Sequence, residues 1–185
     1  LTFQNGYRAI ILVGEDTELD ISNSTFHNNI ALDVQNAAST SGGAIAVAEG
    51  TLNISGSTFT GNEANFGGAI TISGGVSIDN TTFDGNIGRS ITIAGEETGG
   101  QGGAINYQAT SNASVFEITD SDFTGNSAEF VASAIAMYAL DGSQNPYSAV
   151  MTLDSVIIED NVITGNNNAG IIITSQDFVT EIASD

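Results

Sequence analysis

Residues 52–62 read Leu52-Asn53-Ile54-Ser55-Gly56-Ser57-Thr58-Phe59-Thr60-Gly61-Asn62, and residues 76–86 read Val76-Ser77-Ile78-Asp79-Asn80-Thr81-Thr82-Phe83-Asp84-Gly85-Asn86. The two stretches match column by column. An apolar–polar–apolar triplet marks a half-buried strand, a small polar turn follows, then Phe, and Asn three residues later. The same pattern returns at 19–29, 116–126 and 151–161. Its first column is Leu19, Leu52, Val76, Phe116 and Met151, and its second Ile21, Ile54, Ile78, Ile118 and Leu153. The aromatic column is Phe26, Phe59, Phe83, Phe123 and Ile158, and the amide column Asn29, Asn62, Asn86, Asn126 and Asn161.

A second motif precedes these segments. Gly42-Gly43-Ala44-Ile45, Gly67-Gly68-Ala69-Ile70 and Gly102-Gly103-Ala104-Ile105 are full copies, and Ala132-Ser133-Ala134-Ile135 and Tyr7-Arg8-Ala9-Ile10 are degenerate ones. Successive aromatic positions lie 33, 24, 40 and 35 residues apart, so loops of variable length sit on a fixed pattern. The shortest interval has no room for a crossover helix. It suits short strands that pair with their equivalents in the next repeat, about 4.8 Å away. The expected fold is all-β: one parallel β-helix over residues 1–185, a solenoid of about five to six coils. Phe and Ile stack inside it, and the Asn column is expected to face inward with its amides bonded. Gly-Gly suits sharp corners where a side chain would clash. An antiparallel sandwich also uses short alternating strands but gives no reason for Phe-x-x-Asn to recur.

The pairing of Gly-Gly-Ala-Ile with Phe-x-x-Asn resembles the repeats of polymorphic outer-membrane proteins, the surface autotransporters best known from chlamydiae. The resemblance spans roughly residues 7–175. It implies a right-handed β-helical passenger domain displayed on a cell surface, with adhesion as the usual role. The chain departs from that pattern in containing neither a C-terminal membrane barrel nor any Lys.

Composition narrows the function. Twenty-two Asp and Glu face two Lys and Arg combined, for a net charge of −20, while charged residues make up 13%, against roughly 25% in an average globular protein. Polyanion binding is excluded, whether of nucleic acid or of an anionic membrane surface, because nothing neutralises a run of phosphates. No apolar stretch is long enough to span a membrane as a helix. Cysteine is absent, which removes disulfides, thiolate metal sites and a Cys nucleophile.

Function is expected on the insertions 32–41, 87–101 and 138–149, because a repetitive scaffold fixes loops on one flank. Within 87–101, residues 90–93 have the pattern of an extra strand. Tyr138 and Tyr147 flank Pro146 and are candidate ligand contacts, with packing under their own loop as the plainer reading. Asp120, Asp122, Asp154 and Asp160 are candidate calcium ligands, set against a merely solvated acidic edge. No other cofactor is expected. Asn23, Asn53, Asn80 and Asn112 open Asn-x-Ser/Thr sequons and are candidate glycosylation sites.

Catalysis is not expected. Arg8, Arg89 and His27 fall in different repeats; neighbouring coils would bring Asp120, Asp122, Asp154, Glu159 and Asp160 together as carboxylates for sugar hydrolysis, but scattered solvated acids explain them equally well. The expected role is a non-enzymatic extracellular surface module, adhesin-like, with a host-cell, matrix or glycan ligand. Neither 1–7 nor 176–185 reads as a cap, so the chain is expected to belong to a longer surface protein or to stack on copies of itself as a filament. A carbohydrate-active enzyme is the remaining rival.

Overall fold

A computed structural model describes residues 1–32, 41–93, 95–109, 114–138, 149–164, 171–174 and 179–183. The fold is all-β, with no helix among those residues and with nearly all strands parallel.

In the repeat, the Phe column (Phe26, Phe59, Phe83, Phe123 and Ile158) lies at the centre of three-residue strands bounded by two left-handed corners. The corner before it is Asn23, Gly56, Asn80, Asp120 or Ser155, with φ of 46°, 55°, 46°, 47° and 54°. The corner after it is Asn28, Gly61, Gly85, Gly125 or Asp160, with φ of 51°, 60°, 62°, 61° and 55°. Only Gly, Asn, Asp and Ser fill these columns, the short residues that tolerate or locally stabilise positive φ. The corners therefore cut the strand to three residues. Strands Thr2–Gln4, Thr25–His27, Thr58–Thr60, Thr82–Asp84, Asp122–Thr124 and Ile157–Glu159 form a six-stranded parallel sheet in that order. Its register places Phe3, Phe26, Phe59, Phe83, Phe123 and Ile158 in one file.

A five-stranded parallel sheet follows the second corner, in the order Ile30–Ala31, Glu63–Ala64, Ile87–Gly88, Ser127–Ala128 and Val162–Ile163. The largest sheet has nine strands. Three of them are long: Ile10–Ser22, Ile45–Ser55 and Ile70–Asp79. Beyond Ile70–Asp79 it continues as two files, one of Ile105–Gln108, Ile135–Tyr138 and Ile171–Thr174, the other of Val115–Thr119, Val150–Asp154 and Val179–Ala183. The later insertions thus interrupt what earlier repeats carry as one strand.

Residues 87–101 hold more order than a loop. After Ile87–Gly88 comes an antiparallel hairpin of Ser90–Ile93 with Glu96–Gly99, so the strand pattern at 90–93 has its partner six residues on. Most of 32–41 and 138–149 lies outside the described residues.

Inward side chains of the six- and nine-stranded sheets form one core, built from the Phe file and the files of Ile, Leu, Val and Met beside it. Phe26, Phe59, Phe83 and Phe123 are wholly buried, with ring centroids 4.6–4.9 Å apart and planes within 2–9° of parallel. Strand spacing sets that separation. The Gly-Gly corner is as tight as its sequence implies. A Cβ on Gly68 would stand 2.1 Å from Gly103 O, so neighbouring backbones exclude any side chain there. Gly67 adopts φ 61°; Ala132, its counterpart in the degenerate copy, is held at φ 55°.

Candidate functional site

The sequence-predicted residues divide by where the fold places them. The Asn file is interior and saturated. Asn86 Oδ1 accepts from Asn62 N and Asn62 Nδ2, both at 3.0 Å, while Asn86 Nδ2 donates to Phe59 O at 2.9 Å and Asn126 Oδ1 at 2.9 Å. Asn29, Asn62, Asn86 and Asn126 are at most 1% exposed. These amides bind the protein to itself and offer nothing to a ligand.

The acidic candidates do not converge. Asp120 and Asp160 are left-handed corners, Asp122 opens a Phe strand in the six-stranded sheet and Asp154 ends a strand of the nine-stranded one. Turn chemistry accounts for Asp120 and Asp160. Among the described residues no three His, Asp or Glu are grouped to hold a metal ion. Of the sequon residues, Asn23 and Asn80 are exposed corners, whereas Asn53 donates through Nδ2 to Glu18 Oε1 at 2.7 Å and Asp20 Oδ1 at 2.8 Å. Asn112 and Tyr147 lie outside the described residues. Tyr138 packs on Val131, Ala132 and Ala136 on the outer face of the nine-stranded sheet, and burial raises its pKa. His27 Nδ1 pairs with Thr60 Oγ1 at 3.0 Å.

Four features escaped the sequence reading. Phe3 stacks on Phe26 at 4.9 Å and adds a rung to the aromatic file. Its Asn counterpart is Gly6, whose N–H donates to Asn29 Oδ1 at 3.2 Å, and that replacement hid the repeat. A second polar file of Ser24, Ser57, Thr81 and Ser121 runs beside it. Each hydroxyl donates to the carbonyl two residues back, at 2.7–2.9 Å, and those of Ser57, Thr81 and Ser121 also accept from the preceding repeat's backbone N–H.

The third is an ion cluster at the hairpin's base. Arg89 pairs with Glu63, and with Glu129 at 2.9 Å. The Glu63 hydrogen bond chiefly raises its pKa, against desolvation. Desolvation pushes Glu129 up, but Ser90 N–H, the Ser90 hydroxyl and Arg89 outweigh it and hold the carboxyl below its usual value. This cluster ties the hairpin to two neighbouring repeats.

The fourth is a groove on the outer face of the nine-stranded sheet, of about 240 Å³. Its floor is Ala46 and Ala48 on one strand and Thr71 and Ser73 on the next. Ile11 and Val13, 61% and 68% exposed, form one wall, and Asn106 and Gln108 the other. Asn106 Oδ1 is buried without a hydrogen-bond partner. Arg8 sits at one end, where its Nε donates to Gly42 O at 3.3 Å; desolvation lowers its pKa, opposed by the Tyr7 phenol. Small floor residues between larger neighbours make the depression, and alternation along each strand turns all of these side chains outward. Its lining is aliphatic, hydroxyl and carboxamide, with Arg8 the one charged side chain among the lining residues.

Comparison with family models, with curated proteins and with solved structures finds no match to this chain.

Proposed function

We propose that the chain winds as a right-handed parallel β-helix and serves as a non-enzymatic extracellular binding module, adhesin-like in role. Supporting the winding, three parallel sheets receive their strands in the same repeat order, and equivalent residues stack in file. Handedness rests on the resemblance of the motif pair and on the right-handed rule for parallel crossovers.

One observation carries the functional reading. The inward file Ile10, Ile45, Ile70, Ile105, Ile135 is constant, while the adjacent outward file Ile11, Ala46, Thr71, Asn106 differs at every step. A constant interior beneath a varied face is how a scaffold presents a binding surface. The ligand would be a host-cell, matrix or glycan surface. Nucleic acid does not fit a charge of −20.

Beads coated with the purified chain test this. Adhesion to cultured cells, matrix proteins or polysaccharide gels, blocked by soluble chain, is the expected result. Turnover of a polysaccharide by the chain, or adhesion to none of these surfaces, would overturn it.

A further inference from the structure

The groove's two walls differ in chemistry. Ile11 and Val13 present bare methyl groups, whereas Asn106 and Gln108 present carboxamides, each with a donor and an acceptor side by side. Vicinal hydroxyls on a sugar ring have the complementary arrangement, and the ring's C–H face suits the aliphatic wall. A floor of Ala46, Ala48, Thr71 and Ser73 is shallow and lets an extended chain lie along the strands. The net charge of −20 repels polyanions, and no Asp or Glu is among the groove's lining residues to hold a cation, so the matching ligand carries no charge.

Asn106 adds an energetic argument. Its Oδ1 is buried and unpaired, and an unsatisfied buried acceptor is costly. No hydrogen bond retains that oxygen, so rotation of the amide toward a ligand hydroxyl satisfies an acceptor that is unsatisfied in the free protein.

Building on the reading of the chain as a binding module, we propose that this groove binds a neutral polysaccharide, with Asn106 and Gln108 holding ring hydroxyls and Ile11 and Val13 packing on the ring faces. Calorimetric titration of the full chain with neutral hexasaccharides of glucose, mannose, xylose and N-acetylglucosamine tests it, with hexagalacturonate as the anionic control. At least one neutral sugar is expected to bind, and hexagalacturonate is not. Ala48→Trp fills the floor from an outward position and should abolish binding while leaving the circular dichroism spectrum and melting temperature in place. Asn106→Val should weaken binding about tenfold. Tighter binding of hexagalacturonate, or neutral-sugar binding indifferent to Ala48→Trp, would overturn the proposal. If the beads adhere to cells or a matrix protein yet no neutral hexasaccharide binds, the polysaccharide assignment fails while the binding-module reading stands. If neither adhesion nor sugar binding occurs, both fall.

Discussion

Asn62 Oδ1 accepts two hydrogen bonds from Asn29, one from its backbone N and one from its Nδ2, each at 3.0 Å. The same amide donates to Phe26 O and Asn86 Oδ1, both at 3.0 Å, so all four of its bonding positions are filled inside the protein. Every link runs in the same direction along the repeats, which polarises the chain of amides.

Asn62→Asp keeps the shape and removes both donors, leaving a carboxylate facing Phe26 O and Asn86 Oδ1. The expected loss is about 3–5 kcal/mol at pH 7, measured by urea unfolding. Burial raises the new carboxyl's pKa, so the folded state prefers it protonated. The deficit relative to wild type is therefore smallest at pH 3, below the unfolded value of about 3.9, and grows as pH rises past it. A deficit unchanged between pH 3 and pH 7 would contradict the assignment.

Phe59 lies mid-file between Phe26 at 4.6 Å and Phe83 at 4.9 Å, wholly buried. Phe59→Ala opens a cavity with a ring on either side and should cost about 3–5 kcal/mol. Phe3→Ala removes a half-buried ring with one aromatic neighbour and should cost clearly less. Equal losses in thermal unfolding would mean that the file does not stabilise by stacking in sequence.

These files explain which parts were legible from residues alone. Columns identical in type, such as Phe26 to Phe123 and Asn29 to Asn161, announce themselves because each rung needs the same group to bond the next. The Ser24–Ser121 file escaped because Ser and Thr are everywhere in this chain and their role depends on backbone geometry. Phe3 was hidden because Gly6 supplies only a backbone N–H where other repeats use an amide. Asp120 and Asp160 look like ligands in sequence, yet their left-handed φ makes corners of them. The groove was not legible. It arises from side-chain size on four strands brought together from residues 11 to 108, a juxtaposition that only the register creates.

Ala132 occupies a corner that Gly42, Gly67 and Gly102 fill elsewhere, at φ 55°. A non-glycine residue there costs roughly 1–2 kcal/mol, partly offset by the entropy that glycine loses on folding. Ala132→Gly should stabilise the protein by up to about 1 kcal/mol. A lowered melting temperature would show that the buried Cβ contact with Val131 and Ala136 outweighs the strain.

Arg89 has a 44% exposed side chain, so its pairs with Glu63 and Glu129 are screened by solvent and worth little globally. Arg89→Gln should change the free energy of unfolding by under about 1 kcal/mol while loosening the hairpin it anchors. Hydrogen exchange is the discriminating measurement. Faster exchange confined to Ser90–Ile93 and Glu96–Gly99 is expected; faster exchange throughout the molecule would mean that the cluster supports the core.

Tyr107 is a buried phenol whose ionisation is expected to contribute an alkaline limit to stability. Its ring is fully buried, its hydroxyl donates to Gly74 O at 2.9 Å, and desolvation pushes its pKa up to about 12, opposed by a hydrogen bond with Ser114. For an acid with a raised folded pKa, the protonated form is favoured by folding. The associated stability is complete below the unfolded value of about 10 and is lost as pH climbs toward 12, because only the unfolded chain then releases the proton. The slope is about 1.4 kcal/mol per pH unit across that window. Tyr107→Phe removes this dependence and one hydrogen bond. The variant should start about 1 kcal/mol less stable at pH 7 and lose less stability than wild type between pH 10 and pH 12. Parallel alkaline curves for the two proteins would show that Tyr107 ionises without unfolding and that its burial does not govern the limit.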